Sequence, residues 1–313
     1  KQQTVAPYKR SNDTLEATVI HLFKKGITMS EIAHLIEKMY GHYYTPQTIS
    51  NMTKAVSETV EAFHNRSLHN RYVCVYLDAT YIAVRRDTVS KEAVYIAVGI
   101  REDGSKEVLA YTIAPTESAY NWKELLEEVK ERGVEDVLLF VSDGLKGMAE
   151  AVFSVFPKAK YQVCLVHIGR NIAHKVRVED RQEICEDFKT IHQAKDAETA
   201  EKALEAFCEK WGKSYKKVTQ GLLDNPYLLT FYQFPKAIWR SIYSTNLIES
   251  LNKQIKKYTK RKEQFPNEES LERFLVTQFE DYNQRFATRC HHGFNKARAT
   301  LEEMFEKLDE PIK

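Results

Sequence analysis

Two aspartates in this sequence stand at the ends of apolar runs. Asp78 follows YVCVYL and Asp143 follows VLLFVS. Runs of β-branched and apolar residues that stop at a turn predict buried strands, so we expect both carboxylates at the carboxyl ends of strands. A third acid, Glu249, lies in the helical segment SIYSTNLIESLNKQ. Two strand-end aspartates and a helix-borne glutamate can hold two divalent metal ions, such as Mg²⁺, for phosphodiester chemistry.

Each acid also has a plainer interpretation. A strand-end aspartate commonly caps the turn that follows it, and Glu249 alone could be a solvated residue near a capped helix start. The three acids together, in an α/β order of elements, favour a catalytic set. Other enzyme classes find no support, because Ser142 lacks a G-x-S-x-G elbow and the sequence has neither a P-loop nor a dinucleotide fingerprint.

A dense basic run follows Glu249. Residues 253–262 read KQIKKYTKRK, with six cationic side chains in ten positions. We expect one helix to carry a metal ligand at one end and phosphate-binding cations along the rest, although such runs more commonly form a solvated face. The predicted DNA contacts of this segment are Asn252, Lys253, Lys256, Lys257, Lys260 and Arg261.

The run CLVHIGRN places Cys164 and His167 at C-x2-H spacing. The pair could be half of a zinc site completed by Cys208 or by residues 290–292, although no second local pair supports this. It could instead be a buried strand cysteine with a hydrogen-bonded histidine. In a third interpretation, His167 and Arg170 approach the scissile phosphate from the active-site edge, which makes both candidate DNA contacts.

The first 70 residues predict three helices joined by short turns. Thr28 and Glu31 have capping-box spacing, and Thr45 with Pro46 can begin the third helix. This arrangement suits a helix-turn-helix module that binds DNA, and a small packing bundle is the alternative. The residues expected to face outward on the second helix of the motif are Gln47, Thr48, Asn51 and Lys54.

The rest of the chain predicts an α/β fold. YVCVYL, EAVYIAVGI and EVLAYTIA predict three antiparallel strands, and helices then alternate with the strands DVLLFVS and YQVCLVH. A mixed sheet with helices over its faces, in this order, is that of a ribonuclease H-like core. Strand signals nearly vanish from about Ile168 to Trp239. We therefore expect a helix-turn-helix domain (1–70), a core in two parts (71–167 and 240–313) and an all-helical insertion between them (168–239).

Composition narrows the class of protein. The chain has 313 residues, of which 43% are hydrophobic and 29% charged, and its net charge is +2. No apolar run approaches the length needed to cross a bilayer, so we expect no membrane partner. Five scattered cysteines without a C-x-x-C pair favour a reducing, cytoplasmic compartment over a disulfide framework.

Several motifs resemble those of bacterial insertion-sequence transposases of the Mutator type. They run in order over about residues 15–290 and include LDATYIAVR, VSDGLKGMAEAVFSVF, CLVHIGRN and IYSTNLIESLNKQ. Members usually carry more residues ahead of the helix-turn-helix region than this sequence does. We therefore expect part of the recognition of terminal repeats to lie upstream of Lys1.

The resemblance implies a DDE transposase with a ribonuclease H-like core interrupted by a helical insertion. It implies that Asp78, Asp143 and Glu249 are the catalytic and metal-binding triad, and that Cys164 and His167 form the family's C-x2-H signature. It further implies Mg²⁺ or Mn²⁺ as cofactor, double-stranded DNA (terminal inverted repeats and target) as substrate, and a homodimer or larger assembly. The alternatives are a structure-specific nuclease of the same fold and a DNA-binding regulator without catalysis.

Overall fold

The computed structural model describes residues 8–41, 43–54, 56–85 and 89–309. The strands are β1 Arg71–Arg85, β2 Val89–Ile100, β3 Lys106–Ala114, β4 Asp136–Ser142 and β5 Lys160–Val163. The first helices are α1 Tyr8–Lys24, α2 Met29–Tyr40, α3 Pro46–Thr53, α4 Val56–Asn65, α5 Ala119–Glu131 and α6 Met148–Val155. They are followed by α7 Leu165–Lys175, α8 Arg181–His192, α9 Ala197–Trp211, α10 Lys216–Leu223, α11 Trp239–Ile242, α12 Asn246–Thr259, α13 Glu268–Phe286 and α14 Phe294–Asp309.

One five-stranded mixed sheet forms the centre of the protein, in the order β3-β2-β1-β4-β5. Strands β1, β2 and β3 pair antiparallel, whereas β4 pairs parallel with β1, and β5 parallel with β4. Most positions of these strands are buried, because helices cover the sheet. The prediction of a mixed α/β fold is confirmed. Within the described residues, no helix is long and apolar enough to cross a membrane.

The predicted end of the first strand at Asp78 is wrong. β1 continues to Arg85, because its second half remains paired with β2 up to the register Arg85↔Val89. Its pairing with β4, however, stops at Tyr76↔Val141. Asp78 therefore lies in mid-strand, beyond the point where β1 loses its parallel neighbour and its edge becomes free.

Among the residues that the structure describes, four helices rather than the predicted three precede the sheet. The capping box at Thr28 and the cap at Thr45 are both present. The expected third helix is split into α3 and α4. At the break, the Thr53 hydroxyl donates to the Ser50 carbonyl and Lys54 N–H donates to the Asn51 carbonyl, both three residues back. Such contacts compete with the α-helical ladder and end α3.

The chain after β5 is helical as far as α14, apart from short turns and an isolated bridge. The strand predicted at YQVCLVH ends early, at Val163, and α7 starts at Leu165. Cys164 is thus a buried residue at the strand-to-helix junction, and His167 lies on α7. The basic run is also shorter as a helix than predicted, because α12 ends at Thr259 and leaves Lys260 and Arg261 beyond it.

Candidate active site

Asp78 and Asp143 lie level with each other at one edge of the sheet. Both stand two positions beyond the last parallel pair, Tyr76↔Val141. Asp143 follows β4 directly, as the sequence predicts. Its Oδ1 accepts the Leu145 N–H at 3.3 Å, while Gly144 takes a positive φ of 88°. This turn directs the chain away from the sheet and leaves the carboxylate at the strand end.

The environment of Asp78 disfavours its negative charge. Burial and then repulsion by Asp143 raise the pKa of Asp78 to about 6. Its direct hydrogen-bond donor is the neutral amide of Asn252, with Nδ2 at 2.8 Å from Oδ2. Asn252 itself is 6% exposed and sits on the inner face of α12. The pair of aspartates therefore concentrates negative charge that a neighbouring amide only partly offsets.

Because the charged form of Asp78 is disfavoured in the folded state, Asp78 should lower the free energy of unfolding of the metal-free protein above pH 6. The folded pKa of about 6 lies above the ordinary 3.8, so this cost is absent below pH 4 and complete above pH 6. We expect Asp78→Asn to raise the free energy of unfolding by about 1–3 kcal/mol at pH 8. The gain should shrink towards pH 4.

Urea unfolding of chelator-treated protein at the two pH values measures this difference. Asp224→Asn, a change at an exposed aspartate that caps α10, is the matched control and should shift stability little at either pH. An Asp78→Asn protein that is less stable than the wild type at pH 8 would contradict the assigned environment.

Glu249 reaches the same edge from the first turn of α12 but is already paired. Arg170 of α7 donates two hydrogen bonds to it, from Nη1 to Oε1 at 2.8 Å and from Nη2 to Oε2 at 3.1 Å. The Nε2 atom of His167 lies 3.7 Å from Oε1. The Glu249 side chain is 12% exposed and that of Arg170 48%. The Arg170 contact lowers the pKa of Glu249, which therefore carries its charge at neutral pH.

Cys164 and His167 join the sheet edge to the start of α12. The Cys164 Sγ accepts the backbone N–H of Thr245 at 3.2 Å and its hydroxyl at 3.3 Å. The same hydroxyl lies 3.2 Å from His167 Nδ1. A hydrogen bond with Cys164 raises the pKa of His167. The network fixes the residue before Asn246, where α12 begins, and so sets the direction from which Glu249 approaches the aspartates.

No group of three or more His, Cys, Asp or Glu side chains in the described part of the chain is arranged to hold a metal ion. For zinc, this leaves the Cys164–His167 pair without the further ligands that a structural site needs. For the acids, the reason is visible in the pairings, since Glu249 is turned towards Arg170 and Asp78 towards Asn252.

The relationship to known proteins is clear at the level of sequence. The family model described as "Transposase, Mutator family" matches residues 1–288. The chain belongs to the Mutator family of transposases. The transposase for insertion sequence element IS905 of Lactococcus lactis subsp. lactis (strain IL1403) is 52% identical over 299 residues, covering 96% of this chain and 76% of that protein. The transposase for IS1201 of Lactobacillus helveticus is 51% identical over 282 residues, covering 90% and 76%.

Likeness to solved structures is much weaker. The Drosophila P element transposase strand transfer complex aligns with a TM-score of 0.36 and 10% identity, covering 98% of this chain and 87% of that chain. A TM-score this low does not establish a shared fold. Membership of this transposase in its family therefore rests on the sequence relationship.

The cations predicted to bind DNA in this Mutator-family transposase are exposed. Lys253, Lys256 and Lys257 project from α12, and Lys260 and Arg261 follow it. Asn252 differs from them, because it is buried and directed at Asp78. The structure thus brings His167, Arg170 and Asn252 to the acids. Lys253 Nζ also lies 3.9 Å from Glu249 Oε2, and the other four cations lie on the surface nearby.

Three polar residues predicted to contact DNA lie on α3, and the fourth, Lys54, directly follows it. Gln47, Asn51 and Lys54 are exposed and Thr48 is half-buried, so the predicted outward face is present. The Gln47 amide donates to Asn51 Oδ1 at 3.2 Å, which aligns these two side chains on one face of the helix.

Sequence reasoning missed two residues near the acids. Glu117, in the loop after β3, accepts Trp122 Nε1 at 3.2 Å, and its pKa is raised by burial and by Asp143. Thr245 is the second, and it links Cys164 to His167. The sequence feature that could have pointed to Glu117 is weak: it directly precedes Ser118, which caps α5. Thr245 is visible as part of STNLIES but is easily read as a plain helix cap.

Proposed function

We propose that this chain binds the terminal inverted repeats of its insertion sequence, then cuts and joins DNA with Asp78, Asp143 and Glu249. The observation that carries the proposal is the level placement of Asp78 and Asp143 at a free sheet edge, with Glu249 nearby on α12. The strand order and the helical stretch of residues 168–239 support a ribonuclease H-like core with an insertion. In this proposal residues 1–70 form the DNA-binding domain, and the active enzyme is a homodimer.

The two aspartates fit a divalent cation such as Mg²⁺ or Mn²⁺. They provide hard oxygen ligands, and their mutual repulsion is only partly offset by the Asn252 amide and by His167. Ions held by Asp78, Asp143 and Glu249 would activate the attacking oxygen and stabilise the leaving oxyanion of a phosphodiester. Glu249 can join such a set only after it leaves Arg170, because the guanidinium occupies both of its oxygens.

A DNA phosphate provides the exchange partner for Arg170. Its guanidinium binds phosphate in the same bidentate manner as carboxylate, and its side chain is half exposed. In this mechanism Arg170 moves from Glu249 to the scissile strand and Glu249 turns towards the aspartates. Asn252 keeps Asp78 oriented throughout, and His167 holds the hydrogen-bond network at the start of α12.

Recognition of the element end is assigned to α3, and Asn51→Ala tests it. Loss of a base contact should weaken binding to the terminal repeat by about 1–3 kcal/mol while leaving binding to unrelated DNA nearly unchanged. Asn65→Ala, at the exposed end of α4, removes the same side chain and should have little effect. Competition gel-shift measurements separate the two kinds of binding. Equal loss on both DNAs would reassign Asn51 to a phosphate contact, and no loss would remove it from the interface.

Joining of a precleaved element end to target DNA tests the proposed activity. The transposase is expected to form a covalent joint between the 3′-hydroxyl of the end and a target strand when Mg²⁺ is present. A nuclease of the same fold would nick the DNA without forming the joint, and a regulator would do neither. Either of these two results, with an end sequence that the protein binds, would contradict the proposal.

A further inference from the structure

A small cavity lies between the N-terminal helices and the segment that follows α12. Its volume is about 130 Å³, and two cationic side chains, Lys262 and Arg273, line it. Thr28 and Ser50 contribute from the N-terminal helices, and Asn267 and Ser270 from the start of α13. Met29, Phe265 and Pro266 complete an otherwise largely apolar wall, so the two cations are its charged groups. The cavity lies away from Asp78, Asp143 and Glu249.

Arg273 is buried without a full set of partners. Arg273 is 5% exposed, and its Nε atom makes no hydrogen bond within the described residues. Within the described residues its ion pair is with Glu269, 3.9 Å from Nη1, and the Glu269 side chain is 76% exposed. Glu272 also opposes its charge. A buried guanidinium normally satisfies its donors, so an unpaired donor beside a cavity indicates a missing acceptor.

Lys262 is a second basic side chain at this cavity. Its Nζ lies 3.8 Å from the centroid of the Phe23 ring and 5.2 and 5.4 Å from those of Phe265 and Phe274. It forms no ion pair in the described part of the chain. Burial and then repulsion by Arg273 lower the pKa of Lys262 to about 7. Ring faces stabilise a cation only modestly, so an anion bound beside Lys262 and Arg273 would be stabilised by both side chains.

The amino terminus of α13 also lies at this cavity, and its first turn carries Glu268 and Glu269. Asn267 caps the helix by accepting the Ser270 N–H, which places the helix start at the cavity wall. Helix amino termini carry unpaired N–H donors and a partial positive charge, both of which favour anions. Two cations and a helix start thus converge on one small space.

We propose that this cavity binds a phosphate group through Lys262 and Arg273. A tetrahedral oxyanion accepts hydrogen bonds from the Arg273 guanidinium and neutralises the repulsion between the two cations. The phosphate comes either from free inorganic phosphate or from a DNA backbone, since Ser50 of the wall belongs to α3. The first source is independent of the proposed function, whereas the second rests on it.

Thermal unfolding in inorganic phosphate tests the site itself. At about ten times the dissociation constant, phosphate should raise the Tm of the wild type by a few degrees more than chloride of equal ionic strength does. Lys262→Met keeps the stem on the phenylalanine rings and should lose this excess, as should Arg273→Met. Lys106→Met is the matched control, because Lys106 Nζ also lies over a ring, 4.0 Å from the Phe286 centroid. General salting effects of phosphate act on all variants alike.

The salt dependence of DNA binding separates the two sources. If the site holds a backbone phosphate, Lys262→Met should reduce the slope of log K against log salt concentration by about one, and Lys106→Met should not. A phosphate-dependent Tm excess with an unchanged slope assigns the site to free phosphate. The proposal would be overturned if phosphate raised the Tm of the wild type and of Lys262→Met equally and both proteins gave the same salt slope. It would also be overturned if Lys106→Met lost the phosphate-dependent Tm excess to the same extent as Lys262→Met.

Discussion

Asp143→Asn is expected to abolish DNA cutting and joining while leaving binding to the element end almost unchanged. The amide keeps the shape of the side chain and can accept the Leu145 N–H that now shapes the turn. It lacks the negative charge that a divalent cation requires. Losing several kcal/mol of transition-state stabilisation corresponds to at least a ~10³-fold fall in rate. Asp78→Asn should behave in the same way.

Cleavage and joining assays in Mg²⁺, run beside gel shifts of the same preparations, measure both quantities. Asp224→Asn serves as the control for loss of a carboxylate, because Asp224 is exposed and lies within the helical stretch of residues 168–239. Strand joining by Asp143→Asn at a rate near that of the wild type would exclude Asp143 from the catalytic set.

Arg170→Gln is expected to affect metal binding and DNA chemistry in opposite directions. Without its bidentate partner, Glu249 keeps its charge and can turn towards the aspartates. Since Arg170 is half exposed, the released pairing energy is modest. We expect Mn²⁺ to bind DNA-free Arg170→Gln about tenfold more tightly, a coupling of about 1.4 kcal/mol. Cleavage should nevertheless fall, because the contact from Arg170 to the phosphate is lost.

Calorimetric titration of Mn²⁺ into DNA-free protein provides the first quantity and a nicking assay the second. Arg177→Gln is the matched control, because Arg177 lies just beyond α7 and pairs with Glu179 rather than with an active-site acid. The same titration of Glu249→Gln should show no gain when Arg170→Gln is added. Unchanged or weaker Mn²⁺ binding by Arg170→Gln would mean that the Arg170–Glu249 pair does not hold the acid away from the metal.

Much of the fold follows from local patterns. Long apolar runs define β1 to β4, and caps such as Thr28 define the helix starts, because burial and capping act over a few residues. The points where one element ends and the next begins are harder to predict. The end of β1 depends on pairing with β2, which the apolar run YVCVYL does not encode, and α7 begins where the sequence YQVCLVH still reads as strand.

The site shows the same division. Residue type and order predict that Asp78, Asp143 and Glu249 belong together, and the family motifs distinguish Glu249 from the other glutamates. Their present pairings could not be predicted from sequence. Arg170 lies 79 residues before Glu249 in the chain, and Asn252 lies 174 residues after Asp78. Contacts at such separations are set by the packing of α7 and α12 against the sheet edge.

We propose that the three acids form one metal centre on bound DNA. Electron paramagnetic resonance of Mn²⁺ with a precleaved element end measures this most directly, by counting ions bound per protomer. The wild type should hold two ions, the Asp78→Asn and Asp143→Asn proteins should lose this binding, and Glu249→Gln should lose about half of it. Full Mn²⁺ occupancy in the Asp78→Asn/Asp143→Asn double variant would contradict a metal centre built on these acids.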